Sequence, residues 1–241
     1  MIFYTHPNLL HKIIFILFFL CLTSNLQAQE TITIVAFGNS TTAPRKGIDK
    51  VYAQRVNENL TNSGINNIVI NSGIGGSHTG SIKDNNKIKI EHAMDRFQKN
   101  VLDYHPQWVT LDFGLNDSWQ DHGKDSASRI PINEFSNNLS YFIDKIKLQN
   151  GKIILLTPNP IGQKYEKWRY NKVKEYKKVT KKLAKEKKIY WINSWKLFYS
   201  YTKKKNQKID SLLLDGIHPN DIGHQLISDA ITKIIRKAEK H

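Results

Sequence analysis

The chain has 241 residues, with 36 Lys and Arg against 21 Asp and Glu, a formal net charge of +15, and one cysteine. That length holds one domain with a substantial core, and a lone cysteine excludes an intrachain disulfide and a thiolate metal cluster. The charge is local: residues 161–208 carry 17 Lys and Arg but 3 acidic residues, while the chain after residue 28 otherwise carries 18 of each sign. Such a segment is either a solvated lysine-rich helix face or a surface that attracts an anionic glycan. Its aromatic residues recur at helical spacing, which turns them toward a core, so nucleic acid is not an expected partner.

The chain opens with His11 and Lys12, an apolar run over residues 13–22 and a polar stretch ending in Leu26-Gln27-Ala28. This is the layout of a secretory signal peptide cleaved near Ala28. A buried N-terminal helix is the alternative. The run falls short of the roughly 20 apolar residues that a membrane span needs. Phe19-Leu20 are too large to precede a lipoprotein cysteine at Cys21. The expected organisation is a signal peptide over 1–28 and one domain over 29–241, secreted or periplasmic, with no membrane span after cleavage.

Strand and helix signals then alternate. Strands are predicted at Thr31–Phe37, Asn67–Asn71, Trp108–Phe113, Lys152–Thr157 and Ile189–Ile192. Helices are predicted at Ile48–Leu60, Ile88–Tyr104, Ile132–Leu148 and Pro219–Ala238. A further long helix carries the apolar stripe Tyr165, Trp168, Val173, Tyr176, Val179 and Leu183. Short apolar strands separated by helices imply a parallel sheet covered on both faces, a three-layer α/β/α sandwich. In such sheets, sites form at the carboxyl ends of the strands.

Those ends hold the chemistry. The first strand runs into Gly38-Asn39-Ser40-Thr41, where a serine either caps a helix or projects its hydroxyl into a crevice. The second ends in Gly73-Ile74-Gly75-Gly76-Ser77, where glycine lets a backbone N–H approach a substrate oxygen. The third ends in Gly114-Leu115-Asn116-Asp117, whose amide side chain is an oxyanion donor or part of a polar loop. Near the C-terminus, Asp215-Gly216-Ile217-His218 places a carboxylate and an imidazole three residues apart, within reach of each other across one turn.

In order and placement, these four segments resemble the four blocks of the SGNH (GDSL-like) hydrolase superfamily, and the similarity runs through the whole chain after residue 28. The resemblance implies a flavodoxin-like five-stranded sheet of order 2-1-3-4-5. It implies Ser40 as nucleophile, His218 as general base and then acid, and Asp215 as its orienting carboxylate. It also implies an oxyanion hole from the Ser40 and Gly76 N–H groups and the Asn116 side chain, with no cofactor and no metal. Asn39 stands where the family usually carries Asp, which removes a charge beside the nucleophile; Asn39 and Trp119 are candidate substrate-binding residues. Asn193 stands where relatives often carry Asp.

Export, a cofactor-free site and the basic segment favour an esterase that removes acetyl or other short acyl groups from a polysaccharide or oligosaccharide. The competing readings are a lipid esterase, lysophospholipase or thioesterase, a hydrolase of a non-ester glycan bond, and a silent carbohydrate-binding protein. No long apolar lid is visible for a lipid. Asp121 with His122, and His78, His92, His105 and His224, read as loop residues, not metal ligands.

Overall fold

Five short strands form one parallel sheet: β1 (Ile32–Gly38), β2 (Asn67–Gly73), β3 (Trp108–Asp112), β4 (Lys152–Leu156) and β5 (Tyr190–Ile192), in the order β2-β1-β3-β4-β5. The computed structural model describes Met1, residues 30–85 and residues 87–239. Apart from Met1, the expected signal peptide lies outside the described residues. The sheet belongs to the unit Thr31–His241. Among the described residues, no helix is long and apolar enough to cross a membrane.

Successive strand residues point to opposite faces, and both faces are apolar. Val35, Phe37, Val109, Leu111, Ile153 and Leu155 pack on one side against α2 (Ala93–Asn100), α3 (Ile132–Leu148) and α4 (Lys167–Glu186). Ile34, Ala36, Trp108, Ile154, Leu156 and Ile192 pack on the other against α1 (Tyr52–Thr61), α5 (Ser194–Lys205) and α6 (Asp221–Ala238). The result is the expected α/β/α sandwich. A third apolar cluster of Leu115, Ile161, Val173 and Trp195, with Tyr165, Tyr170 and Ile217 against it, lies among the loops that follow the strands.

Register decides where the site forms. Gly38 pairs with Gly73 on one side and Asp112 on the other, so β1, β2 and β3 end side by side. The loops carrying Ser40, Gly76 and Asn116 therefore leave the sheet together.

Four helix readings change. Helix α1 starts at Tyr52, not Ile48, because the Tyr52 N–H is capped by His224 Nδ1 at 3.2 Å while the Asp49 N–H donates to Asp221. Helix α2 is confined to Ala93–Asn100: Asp95 accepts the His92 N–H at 2.9 Å, and a 3-10 turn at Leu102–Tyr104 follows. Helix α6 begins at Asp221, because Pro219 bridges Leu213 and Asn220 caps the Gly223 N–H at 3.1 Å. Helix α5 had no counterpart in the predicted elements; Asn193 starts it by accepting the Lys196 N–H at 3.1 Å.

Candidate active site

The loop after β1 turns sharply, with the Thr42 and Ala43 N–H groups donating to the Asn39 carbonyl. The turn presents Ser40, whose Oγ lies 2.9 Å from His218 Nε2. His218 comes from the loop between the Leu213–Pro219 bridge partners, a loop also closed by the Leu214 N–H on the His218 carbonyl at 2.8 Å. Within it, Asp215 Oδ1 accepts the Ile217 and His218 N–H groups at 3.1 and 2.9 Å. That fixes the carboxylate so that Oδ2 faces His218 Nδ1 at 2.7 Å. Since the carboxylate only accepts, Nδ1 carries the ring proton and Nε2 is left to accept from Ser40. Gly216 supplies the left-handed residue of the turn, at φ +83°.

Electrostatics suit proton transfer. Burial lowers the His218 imidazole below its ordinary value; Asp215 opposes that shift and the nearby Arg45 cation adds to it. The ring is thus neutral near pH 7 and able to take a proton. Partial burial pushes the Asp215 carboxyl up, but the His218 backbone and ring and the Ile217 N–H outweigh it, holding the carboxyl far below the usual range. The Asp215 side chain is 43% exposed, so burial alone does not secure it. Arg45 Nη1, 3.1 Å from Oδ2, provides a second anchor that sequence reasoning missed.

Facing Ser40 are the other two strand ends. Gly76 has φ +81°, a left-handed conformation that L side chains rarely adopt and glycine adopts freely. Among the described residues, no acceptor is bonded to the Ser40 or Gly76 N–H. Asn116 Nδ2 donates to the Ser77 carbonyl at 3.0 Å, and its Oδ1 accepts from Arg129 at 3.5 Å, which sets the NH2 edge toward the Gly76 loop. Asp117 accepts the Thr79 N–H, the Thr79 hydroxyl and the Gly114 N–H at 2.7, 2.6 and 2.9 Å, tying the two loops together. Buried Arg96 binds the Ser72 and Gly38 carbonyls at 2.7 and 2.9 Å, clamping the ends of β2 and β1.

Asn39 does not face substrate as a free polar group. It is buried, and its Oδ1 accepts both the N–H and the hydroxyl of Thr41 at 2.9 and 2.8 Å. The same hydroxyl lies 2.6 Å from Asp112 Oδ2. One hydroxyl proton serves both oxygens fully only when Asp112 is protonated and donates to Thr41. Burial pushes the Asp112 carboxyl up to about 6 from 3.8. A raised carboxyl binds more protons folded than unfolded, so this group's stability contribution is present at low pH and is lost as pH rises from about 4 through about 6. A second carboxylate at position 39 would oppose Asp112 across Thr41. Asn39→Asp is therefore expected to cost about 2 kcal/mol at pH 8, roughly 4–8 °C of melting temperature, and less at pH 5. Adding Asp112→Asn should recover most of that loss. Equal destabilisation at both pH values would refute the coupling.

The cleft in front of Ser40 and His218 has a volume of roughly 520 Å³ and is lined by Arg45, Gly76, Ile88, Asn116, Trp119 and Ile217, among others. Trp119 is half-buried, and the Arg169 guanidinium lies 4.2 Å from its ring centre and 4.3 Å from that of Trp168. Trp168, expected to face the core, is half-buried beside this cation. Asp121 is spoken for by Arg129, at 2.9 and 2.7 Å. His78 and His92 stack at 3.5 Å, and His92 is lowered to about 4 by burial. Among the described residues, no group of three His, Cys, Asp or Glu side chains is placed to hold a metal. Arg45, Arg96 and Asp112 carry no local sequence signal, because each acts on a partner from a distant segment.

A model of the GDSL-like lipase/acylhydrolase family matches residues 36–226. The uncharacterized lipoprotein YqeF of Bacillus subtilis (strain 168) is 28% identical over 246 residues, covering 90% of this chain and 96% of its own. Among solved structures, the lipase/acylhydrolase from Enterococcus faecalis superposes with a TM-score of 0.69 at 26% identity, covering 86% of this chain and 96% of that one. The acetyl xylan esterase AlAXEase does so with a TM-score of 0.68 at 27% identity, covering 85% and 100%. With the family model spanning most of the sheet and the loops at its carboxyl edge, the chain belongs to the GDSL-like lipase/acylhydrolase family, the SGNH hydrolases.

Proposed function

We propose that the protein is an exported serine esterase that removes acetyl or other short acyl groups from a carbohydrate. The observation that carries this reading is the unbroken relay from Ser40 through His218 to Asp215 at 2.9 and 2.7 Å, opening on a cleft. Ser40 Oγ attacks the ester carbonyl as His218 Nε2 takes its proton. The negative charge on the carbonyl oxygen is met by the Ser40 and Gly76 N–H groups and by Asn116 Nδ2. His218 then protonates the sugar oxygen as its bond to the acyl carbon breaks, and water, deprotonated by His218, attacks the acyl-enzyme to release the acid and restore Ser40.

Family membership supports ester hydrolysis. The likeness to an acetyl xylan esterase supports an acylated carbohydrate. Export is supported by the apolar leader in the sequence and by a relative named as a lipoprotein. The half-buried Trp119 at the cleft gives a sugar ring an apolar face to lie on.

The test is acetate release from a panel of acetylated polysaccharides and p-nitrophenyl esters, with Ser40→Ala beside the wild type. Release that vanishes in the variant is expected. A folded wild type that frees no acid from any ester overturns the reading.

A further inference from the structure

Beside the cleft lies a second cavity, of roughly 610 Å³, lined among others by Gln163, Tyr165, Lys167, Tyr170, Tyr199 and Lys208. Two independent features mark it. The first is continuity with the site. Trp119, in the cleft, meets Tyr165, in the second cavity, edge-on at 6.0 Å. Leu115 and Ile217 from the cleft share one apolar cluster with Ile161, Tyr165 and Tyr170 from the cavity. The Gly162 N–H also donates to the Gly216 carbonyl at 2.7 Å, joining the cavity's rim to the Asp215–His218 loop.

The second is charge. The cavity sits within the segment whose 17 Lys and Arg face 3 acids. Those three acids are already engaged: Glu166 with Arg169, Glu175 with Lys172 and Glu186 with Lys182. Lys187 pairs outside the segment, with Asp144. Among the described residues, no carboxylate pairs with Lys167 or Lys208 at the cavity itself. Asp210 stands close by, and its carboxylate is engaged by the Gln163 N–H at 3.1 and 3.2 Å. The cavity's tyrosines rest on a buried aromatic ring. Trp195, anchored by its Nε1 on the Pro158 carbonyl at 2.8 Å, packs against Tyr170 and Tyr199 with ring centres at 4.9 and 6.1 Å. The two tyrosine hydroxyls bond each other at 3.1 Å, which leaves one hydroxyl proton to donate outward.

Aromatic surface, hydroxyl and amide partners and two unpaired cations together fit a sugar ring that carries an anionic group. We propose that this cavity is a subsite for an anionic saccharide unit, bearing a carboxylate or a sulfate, on the same chain whose ester lies at Ser40. The identity of that chain rests on the esterase reading; the anion binding does not. Lys167 and Lys208 take the charge, the tyrosines bear the ring, and the Trp119–Tyr165 contact carries the chain between the two cavities.

The test uses the full protein with Ser40→Ala, so that nothing is consumed, and measures binding by calorimetry. Polygalacturonate, a sulfated galactan and unsubstituted xylan are compared, with and without Lys167→Gln/Lys208→Gln. Both lysines are exposed, so the fold should survive, as a melting curve will show. One of the two anionic polymers should bind more tightly than xylan, and which one does so separates carboxylate from sulfate. The double lysine change should weaken that binding by about tenfold, and added salt should weaken it further. Equal binding of all three polymers, or binding untouched by the lysine changes, overturns the subsite. So does equally tight, equally lysine-dependent binding of DNA or of anionic lipid vesicles, which would make the cavity a general polyanion surface. If lysine-dependent anion binding persists in a protein that cleaves no ester, the esterase reading fails alone. If esters are cleaved but no anionic polymer binds, the subsite fails alone.

Discussion

Replacing Ser40 with alanine is expected to lower kcat for ester hydrolysis by about 10⁴–10⁶, while the melting temperature stays within about 2 °C of wild type. The size follows from what the hydroxyl does. Among the described residues, its one side-chain partner is His218 Nε2 at 2.9 Å, so its removal deletes the proposed nucleophile. The small stability cost follows from what it does not do. Ser40 is half-buried at the cleft and belongs to none of the three apolar clusters. The proposed oxyanion donors survive the change, so a small rate above that of water should persist, with KM for a p-nitrophenyl ester altered far less than kcat. Steady-state kinetics on p-nitrophenyl acetate decide it. A loss below about tenfold would remove Ser40 from the nucleophile's role.

That these candidate residues would meet was legible in the sequence, for a physical reason. A parallel sheet gathers its loops at one edge, so short glycine-rich and polar segments directly after apolar runs had to meet there. Ser40, Gly76 and Asn116 leave three adjacent strands, and Asp215 and His218 need only one turn to reach each other. What stayed hidden depends on partners far apart in the chain. Arg45 anchors Asp215 across 170 residues, and Asp112 meets Thr41 across 71. The replacement of the family's Asp by Asn39 was visible, but not the buried Asp112 that makes a neutral side chain suitable there. Helix α5 went unseen because its start depends on one capping residue, Asn193, and its last turn is the lysine run Lys203–Lys205. The basic segment showed as a count; which lysines are paired, and that a cavity lies among them, required the fold.

Asn116→Ala is the more demanding test, because it separates oxyanion stabilisation from nucleophile activation. Removing one such donor typically costs about 10²–10³ in kcat, or roughly 3–4 kcal/mol of transition-state stabilisation. The Ser40–His218–Asp215 relay does not involve Asn116, so the acid limb of the pH–rate profile should not move even as its plateau falls. In the proposed mechanism that limb reflects His218, whose imidazole is lowered by burial and has to be neutral to act as base. Asn116 also holds the Ser77 carbonyl at 3.0 Å, one residue after Gly76. Part of the loss will therefore come from a looser Gly76 N–H, and Asn116→Asp, which keeps the size but cannot donate from that position when ionised, should do no better than alanine. The Gly76 loop remains held from below, since Asp117 grips Thr79 through two bonds and Arg96 fixes the strand ends. The fold should thus survive the alanine change, and a steep fall in kcat at unchanged melting temperature assigns the amide to the developing charge. Near-normal turnover would leave the two backbone N–H groups as the whole of the oxyanion hole and assign Asn116 to loop bracing.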